Sequence, residues 1–217
     1  MSGTDSWGDV AHHLRDAARL RARLPPERLA LQDEALRLAG RVRGWRVLEI
    51  GCGAGGLAQK LAAQGAQVVA IDASPAAVHA ADHDAKESGV LPQPEFAVGD
   101  LLEPASLPRG LFELAICVLA LHESEDPARA LQSVAKLLHP RGRFVLALEH
   151  PWQAAAKPRS GPLGSLPALL AALRAAGLRL VEAAEPVPPG APEERPHHLV
   201  VSAERTSKRR RNRGTSG

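Results

Sequence analysis

Val47-Leu48-Glu49-Ile50-Gly51-Cys52-Gly53-Ala54-Gly55-Gly56 decides how this chain folds. An apolar strand runs into a glycine-dense turn, and Leu57-Ala58-Gln59-Lys60-Leu61-Ala62 continues as a helix former. Strand, glycine turn and helix together open a nucleotide-type cofactor site. Glycine lets the backbone turn sharply and approach a ligand closely. The helix behind it points free N–H groups and a positive dipole end into the turn.

Outward from this stretch the pattern alternates strand and helix, which predicts a mostly parallel sheet with helices on both faces. A helical region from about Asp9 to Leu24 breaks at Pro25-Pro26 and resumes from Glu27 to Leu38. Strands are expected over Arg46–Ile50, Gln67–Ile71, Glu95–Val98, Phe112–Val118, Arg143–Leu148, Leu178–Ala183 and His197–Ala203. Phe112–Val118 is almost continuously apolar, as a strand buried on both faces should be. Helices follow at Gly55–Ala63, Ser74–Glu87, Asp126–Leu138 and Leu166–Ala176, the second opening on an N-cap serine and an N1 proline, Ser74-Pro75. The loop Pro186–Pro192 is a poor helical crossover, so the last two strands pair antiparallel. Residues 1–44 read as an N-terminal helical cap, 45–204 as one cofactor-binding domain and 205–217 as a basic, disordered tail.

A chain of 217 residues supports one sizeable α/β domain. With 3 Phe, 3 Trp and no Tyr, base-stacking surfaces for single-stranded nucleic acid are not expected, and no phenol is present to act as acid or base. Cys52 and Cys117 form neither a disulfide framework nor a metal cluster, which suits a reducing, cytoplasmic setting. The N-terminus lacks a signal-peptide pattern, and no apolar run is long enough to span a bilayer. The net charge of +3 owes its sign to Lys208, Arg209, Arg210, Arg211 and Arg213; removing those five charges leaves −2. No aromatic residues interleave with them, so a solvated tail is the simpler reading than a nucleic-acid contact.

Dinucleotides and S-adenosylmethionine (SAM) both use such a glycine turn. Gly51, Gly53 and Gly56 fit G-x-G-x-x-G, and Asp72 lies 21 residues after Gly51, both compatible with a dinucleotide. Three features favour SAM. Glu49 would repel a pyrophosphate but suits the ammonium of a methionine. Gly55 supplies the tighter G-x-G-x-G spacing. The chain ends in a hairpin, not in a second βαβαβ half.

The chain resembles the class I SAM-dependent methyltransferases of the UbiE-like, "type 11" family. Val47 to Gly55 matches that family's first motif. Val69-Ala70-Ile71-Asp72-Ala73-Ser74 matches its second, where the acid binds the ribose hydroxyls. Val98-Gly99-Asp100-Leu101 matches the third, where the Asp meets the adenine amino group. Leu114–His122 matches the fourth-strand motif, and Leu137–Val145 resembles the turn into strand five. The resemblance spans roughly residues 45 to 150 plus the terminal hairpin. It implies a seven-stranded sheet in the order 3-2-1-4-5-7-6 with strand seven antiparallel. It also implies a cofactor set of Glu49, Gly51, Cys52, Gly53, Gly55, Asp72, Ala73, Asp100, Leu101, Cys117 and Val118. Glu113 and Arg141 depart from the family's usual Asp and Gly.

Methyl transfer is a displacement at a sulfonium carbon, so the protein supplies positioning and a suitable field. His122 and His150 follow strand ends on the cofactor side and are the candidate catalytic bases. His122 reads equally as a structural residue at a loop start. Trp152 is a candidate pocket wall, and Trp7 and His12-His13 lie on the segment that covers the site in similar proteins. His197-His198 have no ligand spacing, and no metal is expected. The function expected is SAM-dependent methylation of a small molecule. The alternatives are a NAD-dependent oxidoreductase, a catalytically silent SAM-binding module, and an RNA methyltransferase resting on the basic tail alone.

Overall fold

The computed structural model describes residues 25–121, 124–151, 163–187 and 196–206. Within them lie strands β1 (Arg46–Ile50), β2 (Gln67–Asp72), β3 (Glu95–Val98), β4 (Phe112–Val118), β5 (Leu138–Glu149), β6 (Leu178–Ala184) and β7 (His198–Arg205). They form one sheet in the order β3-β2-β1-β4-β5-β7-β6. The first five strands pair parallel, and β7 is antiparallel to both β5 and β6. The expected order and the terminal hairpin are both present. The first helical region, His122-Glu123, Trp152 and residues 207–217 lie outside the described residues.

Helices α1 (Pro26–Ala39), α2 (Gly56–Ala63), α3 (Pro75–Ser88), α4 (Pro127–Leu137) and α5 (Leu166–Ala175) cover the sheet. Strand alternation sorts the core into two layers. Leu114 and Ile116 of β4 pack with α1 and α2, while Ala115 and Cys117 pack with α4 and α5. This is why β4 reads as a continuous apolar run. Helix starts are fixed locally: Ser74 Oγ accepts from Ala77 N at 3.3 Å, and Asp126 Oδ1 accepts from Arg129 N at 2.9 Å. At the other end of α1, the Arg143 guanidinium of β5 donates to the carbonyls of Leu38 and Ala39 at 3.2 and 2.8 Å. That contact ties α1 to the sheet by satisfying carbonyls that a helix end leaves open.

Both departures from the family pattern have a structural account. Glu113 Oε2 accepts the backbone N–H of Arg46 at 2.8 Å, so its reach secures the first amide of β1. The Arg46 guanidinium lies 4.2 Å over the Phe112 ring, which closes the same corner. Arg141 has φ +68°, in the region glycine adopts without penalty. The adjoining Gly142 has no such freedom to change, because a Cβ would lie 2.8 Å from the His139 carbonyl oxygen.

The helix before β5 ends at Leu137, and β5 begins at Leu138, five residues earlier than the pattern predicts. Leu138 pairs with Phe112, and the register then shifts before Leu114 meets Arg143. The His139–Gly142 turn is thus an irregularity inside the strand. The last strand runs to Arg205, one residue into the segment expected to be tail.

Arg141 is 82 % exposed at its side chain, and its contact to Glu204 is 3.7 Å, so little is lost by removing it. Arg141→Gly is expected to raise the unfolding free energy by about 0.5–1 kcal/mol in urea denaturation, because the left-handed backbone penalty is relieved. Arg141→Val should lower it.

Candidate functional site

Strand order reverses direction between β1 and β4, and ligands of open α/β sheets bind at such a switch point, beyond the carboxyl ends of the strands. A cavity of about 450 Å³ lies there. Asp72 and Ala73 after β2 and Gly99 to Leu102 after β3 form one side, Val118 to Leu121 the other. Gly51 and Ile50 line it at β1, Arg28 lines it from α1, and Ser124 and Glu125 line it between β4 and α4.

The turn glycines are required for different reasons. Gly51 has φ +72°, and a Cβ there would lie 2.2 Å from the Ala120 Cβ. Gly55 has φ +75°, and its Cβ would meet Ala81 and the Phe96 ring at 2.9 Å. Gly53, at φ +50°, faces open space, the approach a ligand needs. The turn is pinned to β2 by Gly51 N and Cys52 N, which donate to the Ile71 carbonyl at 2.8 and 3.0 Å.

Asp72 is held by the same turn. Its Oδ2 accepts from Gly53 N at 2.9 Å and its Oδ1 from Ser74 N at 2.9 Å. Each carboxylate oxygen retains acceptor capacity for a ligand hydroxyl. Asp100 is exposed at the cavity; its Oδ1 accepts from Leu102 N at 2.8 Å, and its own N–H donates to Ser106 Oγ at 2.9 Å.

Glu49 lies beneath the turn, 4 % exposed, and does not line the cavity. Its carboxylate accepts the Ala58 N–H. Ala58 is in the first turn of α2, whose N-cap, Gly55, has no side chain to offer. Glu49 therefore does from a strand what a capping residue does from the helix end. Among the described residues its Oε2 has no partner. Burial, followed by the nearby Asp72 charge, pushes its pKa up from 4.5 to about 8, against the pull of the Ala58 bond.

The other expected residues divide. Gly51, Asp72, Ala73, Asp100, Leu101 and Val118 line the cavity. Cys52, Gly53 and Gly55 shape the turn behind it. Cys52 is buried, and burial pushes its thiol well above its ordinary value, so it packs as an apolar group. Cys117 is fully buried in the α4–α5 layer and is not among the lining residues. His150 is not among the lining residues: its Nε2 lies 3.0 Å from Glu185 Oε1, and its backbone N–H donates to the His197 carbonyl. His122 lies outside the described residues. Sequence reading missed Arg28, an exposed cation on the first turn of α1, and Leu119, whose φ of +56° is unusual for a branched side chain. Among the described residues no group of three acidic, His or Cys side chains is placed to hold a metal, and no helix is long and apolar enough to cross a membrane.

The antiparallel β7 between β5 and β6 removes the second half-fold that a dinucleotide enzyme would need, and the cavity's acidic residues fit a nucleoside better than a pyrophosphate. The fold and site are those of a SAM-binding α/β domain. Residues 48–146 match the family described as "Methyltransferase domain". The chain is 37 % identical over 124 residues to the ubiquinone biosynthesis O-methyltransferase of Xanthomonas euvesicatoria pv. vesicatoria (strain 85-10), covering 57 % of this chain and 49 % of that protein. It therefore spans about half the length of that relative. A solved S-adenosylmethionine dependent methyltransferase from Mesorhizobium loti superposes with TM-score 0.68 at 26 % identity, covering 81 % of this chain and 98 % of that one. A putative methyltransferase solved with the Haloferax volcanii Trm112 methyltransferase activator shares the fold at TM-score 0.73 and 18 % identity, over 95 % and 98 % of the two chains.

Because folding raises the Glu49 pKa, its contribution to stability is whole below about pH 4.5 and is lost as pH rises toward 8. Glu49→Gln keeps an acceptor for Ala58 and cannot ionise. The variant is expected to show a flatter melting-temperature profile over this window. At pH 8, without ligand, it should exceed the wild type by about 1–3 kcal/mol. A wild type equally stable at pH 5 and pH 8 would contradict this.

Proposed function

We propose that the chain transfers a methyl group from SAM to an oxygen of a small-molecule acceptor. The observation that carries the reading is the placement of Asp72, Asp100 and Gly51 around one cavity at the switch point, with a buried carboxylate oxygen, Glu49 Oε2, that has no partner among the described residues. This donor and acceptor set fits SAM group by group. Asp72, already oriented by Gly53 N and Ser74 N, receives the two ribose hydroxyls. Asp100 receives the adenine amino group, with Ala73, Leu101 and Val118 as its walls. Gly51, Cys52, Gly53 and Gly55 set the backbone against the methionine end. Glu49 compensates the methionine ammonium, and Arg28 of α1 compensates its carboxylate. When bound, SAM supplies a methyl carbon on a sulfonium, whose sulfur leaves as a neutral thioether.

The protein's own part is then positioning and field. Asp72 and Asp100 would hold the nucleoside end and so fix the orientation of the cofactor in the cavity. His150, steadied by Glu185, borders the acceptor side. The names of the O-methyltransferase relatives support an oxygen acceptor, and no base need act through a metal in this scheme.

Isothermal titration with the full chain tests the reading. SAM and S-adenosylhomocysteine are expected to bind, and NADH is not. Asp72→Ala should weaken SAM by on the order of 10–100-fold, the loss of charge-assisted hydrogen bonds to two hydroxyls. Binding of NADH in preference to SAM would overturn the assignment.

A further inference from the structure

The carboxyl end of the sheet gathers a second polar cluster beyond the cofactor cleft. Glu149, the last residue of β5, pairs across the sheet with His198, the first residue of β7. Strand alternation sets their direction. Val145 and Ala147 of β5 and Val200 of β7 lie in the layer under α1, so Glu149 and His198 project to that side. Helix α1 begins there, and its Arg28 lines the cleft. His198 is two strands from β4, roughly 10 Å at strand spacing, a span that a small aromatic acceptor bridges.

His198 is half-buried, and its ring makes no hydrogen bond within the described residues. The charged and titratable groups that act on it there are His197 beside it, Glu149 across from it, and Glu27 and Arg28 on α1. Burial, His197 and Arg28 lower its pKa, while Glu149 and Glu27 oppose them. The imidazole is therefore neutral at pH 7 and keeps a ring nitrogen able to take a proton. His150, by contrast, is engaged with Glu185.

Resting on the methyl-transfer reading above, we propose that His198 takes the proton from the acceptor's hydroxyl, with Glu149 as the positioning residue that steadies the resulting imidazolium. The balance is closed. The acceptor's O–H proton passes to a His198 ring nitrogen as the oxygen lone pair forms the O–C bond. The C–S bond breaks, and its electron pair stays on sulfur. Water takes the proton from His198 afterwards.

The test uses full-length protein with methyl-labelled SAM and two probes, phenol and 4-nitrophenol, at about pH 8. There 4-nitrophenol is already ionised and needs no base, whereas phenol is protonated. His198→Gln is expected to lower kcat for phenol by on the order of 10²-fold or more. It should leave 4-nitrophenol within a few-fold and the Kd of SAM unchanged. Glu149→Gln should lower kcat for phenol by about tenfold with little change in KM. In the S-adenosylhomocysteine complex, the NMR signals of the His198 ring should move when phenol is added. Equal losses for both probes, no loss for phenol, or unmoved ring signals would overturn the proposal. So would failure of a SAM-binding wild type to methylate either probe. Failure to bind SAM at all would instead overturn the reading beneath it.

Discussion

One buried carboxylate holds the cofactor end of this molecule together. Glu49, in the fourth position of β1, accepts the Ala58 N–H in the first turn of α2, so strand and helix are joined underneath the turn that separates them. The glycines above are then free to serve geometry alone. Gly51 lets Ala120 of the facing loop approach, Gly55 lets α3 and β3 close behind, and Gly53 leaves the ligand side open. Asp72 draws on the same turn through the Gly53 N–H, so the acid on β2 and the turn after β1 fix each other. The arrangement has an energetic cost: a carboxylate out of water with one oxygen unpartnered, its pKa pushed to about 8. A cationic ligand group next to it offsets that cost, which couples the stability of the empty site to what it binds.

Acids outnumber cations in the cleft. Asp72 and Asp100 stand on the β2–β3 side, Glu125 follows β4, and Arg28 comes from α1. Helix α1 supplies the cation because Arg143 of β5 anchors its far end through the Leu38 and Ala39 carbonyls. A contact at the amino edge of the sheet thus helps to set a charge at the carboxyl edge.

Much of this was legible in the chain. The glycine turn, Asp72 and Asp100 sit directly after strands whose apolar runs are unmistakable, so their place at strand ends follows from local pattern. The same holds for the Ser74 and Asp126 caps and for the antiparallel end of the sheet. What escaped is non-local. Arg28 is one arginine among many on an exposed helical turn, and only the packing of α1 against β4, β5 and β7 brings it to the cleft. The pairing of His150 with Glu185 joins residues 35 apart, with α5 and β6 between them. Strand alternation, applied to β4, places Cys117 on the face opposite Ile116, in the α4–α5 layer. The early start of β5 depends on a backbone irregularity at Arg141 and Gly142 that composition does not signal.

If the turn, Asp72 and the buried Glu49 form one SAM site, binding must ionise Glu49. Titration calorimetry of SAM at pH 7, repeated in buffers of different ionisation enthalpy, measures the protons exchanged on binding. Glu49, with a pKa of about 8, is mostly protonated there before SAM arrives. The wild type is therefore expected to release close to one proton per SAM bound, and the Glu49→Gln variant none. SAM binding by the wild type with no proton release would contradict the account.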